Sequence, residues 1–306
     1  MDIGIMVGGS GLTAVINAAR EAADAGLRRV WLPQVFGIEA LTAIAVAGRE
    51  IPDVEFGTAV VPTYPRHPLV LAGQALTTSA ALGARGTGGV PPTAAAGAAK
   101  GSRLHLGIGL SHQLVIEGML GLAFEKPALH MREYLSALRP ALDGRPVAVT
   151  GQTLRAQTLM GPLTVDDAAR PIPILVAALG PALLRVAGEL ADGTLTWMAS
   201  PEVVGKRIAP SITAAAEAAG RPRPRVGVGL PVAVTDDVEG ALERAATSYA
   251  VYGTLPSYRN LLDEGGLDGP AGVVIAGDED EVARRIRALA DVGATEFMAS
   301  PVGSRA

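Results

Sequence analysis

Cysteine is absent from the 306 residues, which excludes disulfide bridges, thiolate metal sites, iron–sulfur clusters and a thiol nucleophile. Aromatic side chains make up only 4% of the chain, and 26 Lys and Arg stand against 30 Asp and Glu, so there is no basic, ring-lined footprint for nucleic acid. The four histidines come without H-x-x-x-H spacing or an accompanying carboxylate, and no metal ligand set is expected. Long apolar runs are missing too. The longest, 172–187, is cut by Gly180, Pro181 and Arg185, short of the roughly 18 residues a membrane span needs. The first residues carry Asp2 rather than a basic leader, so a cytoplasmic protein with no membrane partner is expected.

Hydrophobic residues make up 49% of the sequence, enough for two ordinary domains or one large α/β barrel. Short β-branched runs fall at 3–7, 29–32, 54–61, 104–109, 172–179, 193–198, 225–234 and 295–299. Helical stretches alternate with them at 12–25, 39–48, 69–82, 127–142, 182–191, 201–219, 236–249 and 279–292. Strands separated by crossovers of this length must run parallel. Eight such units predict a single TIM (β/α)8-like barrel over 1–306, since doubly wound sheets usually stop at five to seven strands. Two segments stand outside the rhythm: 84–102, an Ala/Gly/Pro/Thr tract that reads as a flexible insertion, and 145–167, a polar excursion with room for a hairpin. Only 301–306 follow the last strand, so the final barrel helix is expected to be missing and the edge between the eighth and first strands uncovered or closed by a partner subunit.

Several short motifs are candidates for chemistry. Gly8-Gly9-Ser10-Gly11 lacks the G-x-G-x-x-G spacing, and Leu32-Pro33-Gln34 lacks the ribose-binding acid, so a rim turn fits better than a dinucleotide site. In Leu104-His105-Leu106-Gly107-Ile108-Gly109, alternation turns the Leu/Ile set toward the helices and His105, Gly107 and Gly109 inward. His105 reads as a satisfied core histidine. Gly107 and Gly109 admit a flat ring or simply relieve a crowded barrel centre. Ser111-His112 follows at the strand's C-terminal end, where barrel enzymes place their chemistry; His112 is the best-placed proton carrier, or else a helix cap. The stretch 57–68 ends the third strand with a rigid, proline-rich loop. Leu179-Gly180-Pro181 opens a helix whose free N–H groups suit a phosphate, although any helix can begin this way. Tyr249, Tyr252 and Tyr258 crowd into 248–263 and, with Trp197, suggest a lid or channel wall, with core packing as the alternative.

Taken together, Arg29-Val30-Trp31-Leu32-Pro33-Gln34-Val35-Phe36-Gly37, the segments 57–68 and 106–112, Ala178-Leu179-Gly180-Pro181, Asp192-Gly193-Thr194-Leu195-Thr196-Trp197-Met198 and Gly293-Ala294-Thr295-Glu296-Phe297 resemble the luciferase-like monooxygenase superfamily. Within it they look most like the deazaflavin (coenzyme F420)-dependent oxidoreductases. The resemblance implies a luciferase-like TIM barrel, commonly a homodimer, with a tricyclic ring at the C-terminal mouth. It implies a non-prolyl cis peptide in a bulge at Ala59-Val60 that buttresses the ring. Gln34, Gly107, Gly109 and Ser111 would flank the ring or its side chain, and Leu179, Gly180 and Pro181 would meet the phosphate. His112 would donate a proton or anchor the ring. Where several deazaflavin dehydrogenases carry an acid-His pair after the second strand, this chain has Gln34-Val35, which argues against oxidation of sugar phosphates or alcohols of their kind. The expected activity is hydride transfer between F420 and a small organic substrate. The alternatives are an FMN-dependent monooxygenase using oxygen, and a barrel that binds a cofactor without catalysis.

Overall fold

The computed structural model describes residues 1–9, 11–34, 36–83 and 101–303. The elements follow in the order β1 (Asp2–Met6), α1 (Leu12–Asp24), β2 (Arg29–Leu32), α2 (Ala40–Glu50), β3 (Glu55–Thr58), β4 (Val61–Pro62), α3 (Pro68–Leu82), β5 (Leu104–Gly109) and α4 (Pro127–Leu142). Then come β6 (Ala148–Thr150), β7 (Arg155–Gln157), β8 (Ile174–Ala177), α5 (Pro181–Leu190), β9 (Gly193–Trp197), α6 (Pro201–Val203) and α7 (Ala209–Ala218). The chain continues through β10 (Arg225–Val234), α8 (Val238–Ser248), α9 (Pro256–Glu264), β11 (Ile275–Gly277), α10 (Glu279–Asp291) and β12 (Glu296–Pro301). Two compact units emerge: Val7–Ala177 with Leu190–Asp192, and Met1–Met6 with Ala178–Glu189 and Gly193–Ala306.

In the first unit β2, β3, β5 and β8 pair in parallel, with β4 also on β5. Helices α2 and α3 press so closely that a Cβ at Gly48 would lie 1.8 Å from Leu82 Cδ2, and only glycine fits. Beside them the buried Arg103 guanidinium donates to the carbonyls of Leu82, Ile51 (2.7 Å) and Val54 (2.7 Å). A cation there completes carbonyls left over at two helix ends. Caps mark the helix starts: Glu39 accepts from Thr42 N at 2.7 Å, and His67 from Leu69 N at 3.3 Å before Pro68. The expected hairpin within 145–167 is β6–β7, its turn held by the Glu133 carboxylate, which accepts from Gln152 N and Thr153 N, each at 2.8 Å.

In the second unit β9, β10, β12 and β1 pair in parallel, and β11 extends the far half of β10. Buried Glu296 pairs with Arg225 at the start of β10. A π-helical stretch, Val204–Ile208, joins α6 to α7.

Three stretches singled out in the sequence are met again here. The stretch 248–263 is largely helical, a 3-10 turn (Ala250–Gly253) leading into α9, because Pro256 opens a helix at N1 instead of breaking one. Residues 84–100 of the expected insertion lie outside the described residues, and its last member, Ser102, is buried and bonded to Ser79 Oγ at 2.7 Å. The predicted strand 54–61 is broken into β3 and β4. No helix among the described residues is long and apolar enough to cross a membrane.

Candidate active site

The break between β3 and β4 is a bulge. Gly57 stands opposite His105 and Val61 opposite Ile108, four steps on one side against three on the other. The peptide bond within it, Ala59–Val60, is cis, at the position the sequence resemblance implied. Thr58 stitches the interruption: its hydroxyl donates to Gly107 O at 2.7 Å and accepts from Gly107 N at 2.9 Å, while Ala59 N reaches Leu32 O. Val60 then turns over β5. A Cβ at Gly109 would sit 2.7 Å from Val60 Cγ2 and 3.1 Å from Ala177 Cβ, so glycine at 109 is what allows Val60 to lie there. The resulting wall is small and uncharged.

Ser111 follows with φ of 62°, a left-handed conformation rare outside glycine, and turns the chain away from β5. His112 comes next, half-buried. Its carbonyl accepts from Val115 N and Ile116 N at 2.9 Å each and starts a π-helical segment, Leu114–Met119. Burial holds the His112 imidazole below its ordinary pKa, favouring the neutral ring at pH 7. The rim beyond it exposes Leu114, Met119, Leu120 and Leu122 around the Glu117 carboxylate. Gln34 turns its carbonyl oxygen to Ala40 N at 2.7 Å, anchoring the start of α2.

His105 belongs to the core, as its pattern suggested. Its Nε2 lies 2.9 Å from Glu55 Oε2, and Arg29 meets the same carboxylate at 2.7 Å. Burial alone would raise the Glu55 pKa, but hydrogen bonds and charge from His105 and Arg29 outweigh it and hold the carboxyl at about 2.

Sequence reasoning missed His130 on α4. It is buried, stacked on Tyr64 with centroids 4.1 Å apart and planes 6° from parallel, and bonded to Thr63 Oγ1 at 3.1 Å. Only its place in the first turn after Lys126-Pro127 was a sequence signal.

On the second unit, Leu179 and Gly180 lead into α5 at Pro181, with open space over Gly180 and no acid in the helix's first turn. Arg207, also unforeseen, donates to Leu179 O while paired with Glu264 at 2.7 Å. Trp197 ends β9 and packs edge-on against Tyr249 (5.7 Å) and Tyr252 (6.1 Å), and Tyr258 meets Tyr252 at 4.9 Å. The hydroxyl of Tyr249 is 3.3 Å from Ser300 Oγ.

Residues 2–86 and 94–296 match a family model described as luciferase-like monooxygenase. A 5,10-methylenetetrahydromethanopterin reductase of Methanolobus tindarius is 26% identical, over 94% of this chain and 90% of its own. A putative coenzyme F420-dependent oxidoreductase of Mycobacterium tuberculosis is 30% identical, over 67% of this chain and 58% of its own. The structure of a coenzyme F420-dependent tetrahydromethanopterin reductase from Methanopyrus kandleri superposes with a TM-score of 0.76 at 21% identity, covering 98% of this chain and 92% of that one. That likeness shows the fold to be an α/β luciferase-like TIM barrel: the barrel the strand count predicted, of the type the family resemblance implied.

Proposed function

Because the chain belongs to the luciferase-like monooxygenase family, a family of oxidoreductases, we propose that it is a coenzyme F420-dependent oxidoreductase acting on a small organic substrate. The observation that carries the cofactor assignment is the 30% identity to a relative named for F420. The residues present fit the group. The bulge over Gly109 offers a flat, uncharged backing for a ring, and, taken by itself, the first turn of α5, open over Gly180 and without an acid of its own, suits an anion. Ala59, Val60, Gly107, Gly109 and Ser111 would hold the ring, Gln34 would hold its edge, and Leu179, Gly180 and Pro181 would take a phosphate.

When bound, a deazaflavin supplies or accepts a hydride, a two-electron unit that the protein's own side chains cannot carry. The remaining roles fall to the chain. The Ser111 turn orients His112, and the exposed Leu114, Met119, Leu120 and Leu122 favour an apolar portion of the substrate at the rim. His112 holds or takes the proton that must accompany hydride transfer. With its pKa lowered, the neutral ring accepts a proton when substrate is oxidised, and the reduction direction needs the imidazolium, present only on the acid side of the ordinary histidine range. The proposal extends to a homodimer in the cytoplasm, which ultracentrifugation and fractionation address.

Titrating the purified chain with F420 and with FMN in parallel, by absorbance and fluorescence, tests the assignment. Tight binding of F420 with hydride exchange supports it. Preference for FMN, with peroxide or oxygenated product in air, supports instead the monooxygenase reading that the family description favours. In the His112→Ala variant turnover falls by about 100-fold with cofactor affinity little changed; unchanged turnover removes His112 from the mechanism.

A further inference from the structure

We infer that His130 is a positioning residue for the ring-side wall, acting through Thr63 on the end of β5; the inference rests on the proposed cofactor binding at that wall. The contacts run in one line. The His130 ring nitrogen Nε2 is 3.1 Å from the hydroxyl of buried Thr63. Thr63 N in turn donates to Gly109 O at 2.9 Å. Gly109 is the residue Val60 covers, and Ser111 and His112 follow two and three positions later. The ring itself has little freedom. Tyr64 stacks on it at 4.1 Å, Tyr134 leans on it at 5.7 Å, and both phenols are tied to main-chain carbonyls, Tyr64 to Glu125 O and Tyr134 to Arg66 O, each at 2.8 Å. His130 is itself moored, its N–H donating to Lys126 O at 2.8 Å.

A group whose only task was to fill the core would need no hydrogen bond, and an apolar side chain would fill that space without a buried polar atom to satisfy. Burial favours the neutral imidazole, opposed by the Glu133 carboxylate one turn along, and a neutral ring can share a hydrogen bond with the Thr63 hydroxyl whichever of the two donates. The backbone that meets the cofactor is thereby fixed from behind by a side chain on a helix. Sites are held accurately when such supports are themselves locked.

Four variants of the full chain test this: His130→Gln, His130→Phe, Thr63→Val and the double variant His130→Phe/Thr63→Val. Each is titrated with F420 and with FMN by fluorescence, and its melting temperature is taken alongside. The Phe variant keeps the stack and loses the hydrogen bond; its dissociation constant for the cofactor the parent prefers rises roughly tenfold. Gln, which still reaches the hydroxyl, recovers to within about threefold of the parent, and the double variant is no weaker than the Phe variant alone. Binding by the Phe variant within twofold of the parent overturns the inference. So do equal losses in the Gln and Phe variants, which signal a packing role, and multiplying effects in the double variant. Should the Phe variant fail to fold, the Gln and Thr63→Val titrations decide: Gln near the parent with Val weakened supports the inference, and any other pairing overturns it. A parent that binds neither cofactor overturns the functional reading and this inference together. A parent that binds while all variants match it overturns the inference alone.

Discussion

Each of the two units lays an indole over a glycine of the neighbouring strand, and to different ends. In the first, Trp31 on β2 stands opposite Gly57 on β3, where a Cβ would fall 2.3 Å from the ring. In the second, Trp197 on β9 stands opposite Gly229 on β10, with 3.0 Å to the same imagined atom. Each unit also carries an Arg–Glu pair near the strand starts, Arg29–Glu55 and Arg225–Glu296. Trp31 is wholly buried beside His105, 5.8 Å away, and plugs the core. Trp197 is half-buried at its strand's end among tyrosines. Equivalent pieces of sheet thus use one packing device for stability in one place and for surface shaping in the other. What separates them is depth along the strand.

The sharpest way to break that comparison is a methyl group under each indole. Gly57→Ala should cost about 3 kcal/mol, the upper end for overpacking, and Gly229→Ala about 1 kcal/mol, both read from denaturant unfolding. Equal costs would mean the two indoles are equally confined. Next in size is Glu55→Gln. A carboxyl lowered from 4.5 to about 2 contributes on the order of 3 kcal/mol above pH 4.5, and this is lost as pH falls toward 2. The substitution should therefore destabilise the protein by 2 to 3 kcal/mol, roughly, at pH 7 and flatten the stability profile between pH 4.5 and 2. An unchanged acid limb would show that the Arg29–Glu55–His105 cluster is not the titrating element. Smallest is the paired Trp→Phe change. Trp31→Phe should lose about 2 kcal/mol through its cavity and Trp197→Phe less than about 1 kcal/mol, because solvent refills the second site; melting temperatures check the order.

Much of the sheet was legible because parallel strands buried on both faces read as short β-branched runs, and the eight expected runs coincide with β1, β2, β3 and β4 together, β5, β8, β9, β10 and β12. What escaped was information held in register or in rare geometry. The Glu55–His105 contact joins residues 50 apart, and nothing local announces it. The π-helical segment at Leu114–Met119 has no 3.6-residue period to detect. α9 went unread because Gly253 and Pro256 interrupt the helical pattern, although proline is at home in a first turn. At the candidate site, the residues of β5 and the turn after it were visible from alternation, whereas the bulge came from family resemblance alone. His130 lies 67 residues from Thr63, and only the folded chain brings them together.

Arg103 has one more consequence. The same guanidinium grips Leu82 O at the end of α3 and belongs to the residue that leads into β5, while Ser79 and Ser102 clasp each other a step outside. The end of α3 and the start of β5 are thus buckled directly to each other. Because that buckle joins Gly83's neighbour in the helix to the residue leading into the strand, β5 takes its place from α3 itself, and closing the chain between two points already held together costs little further entropy.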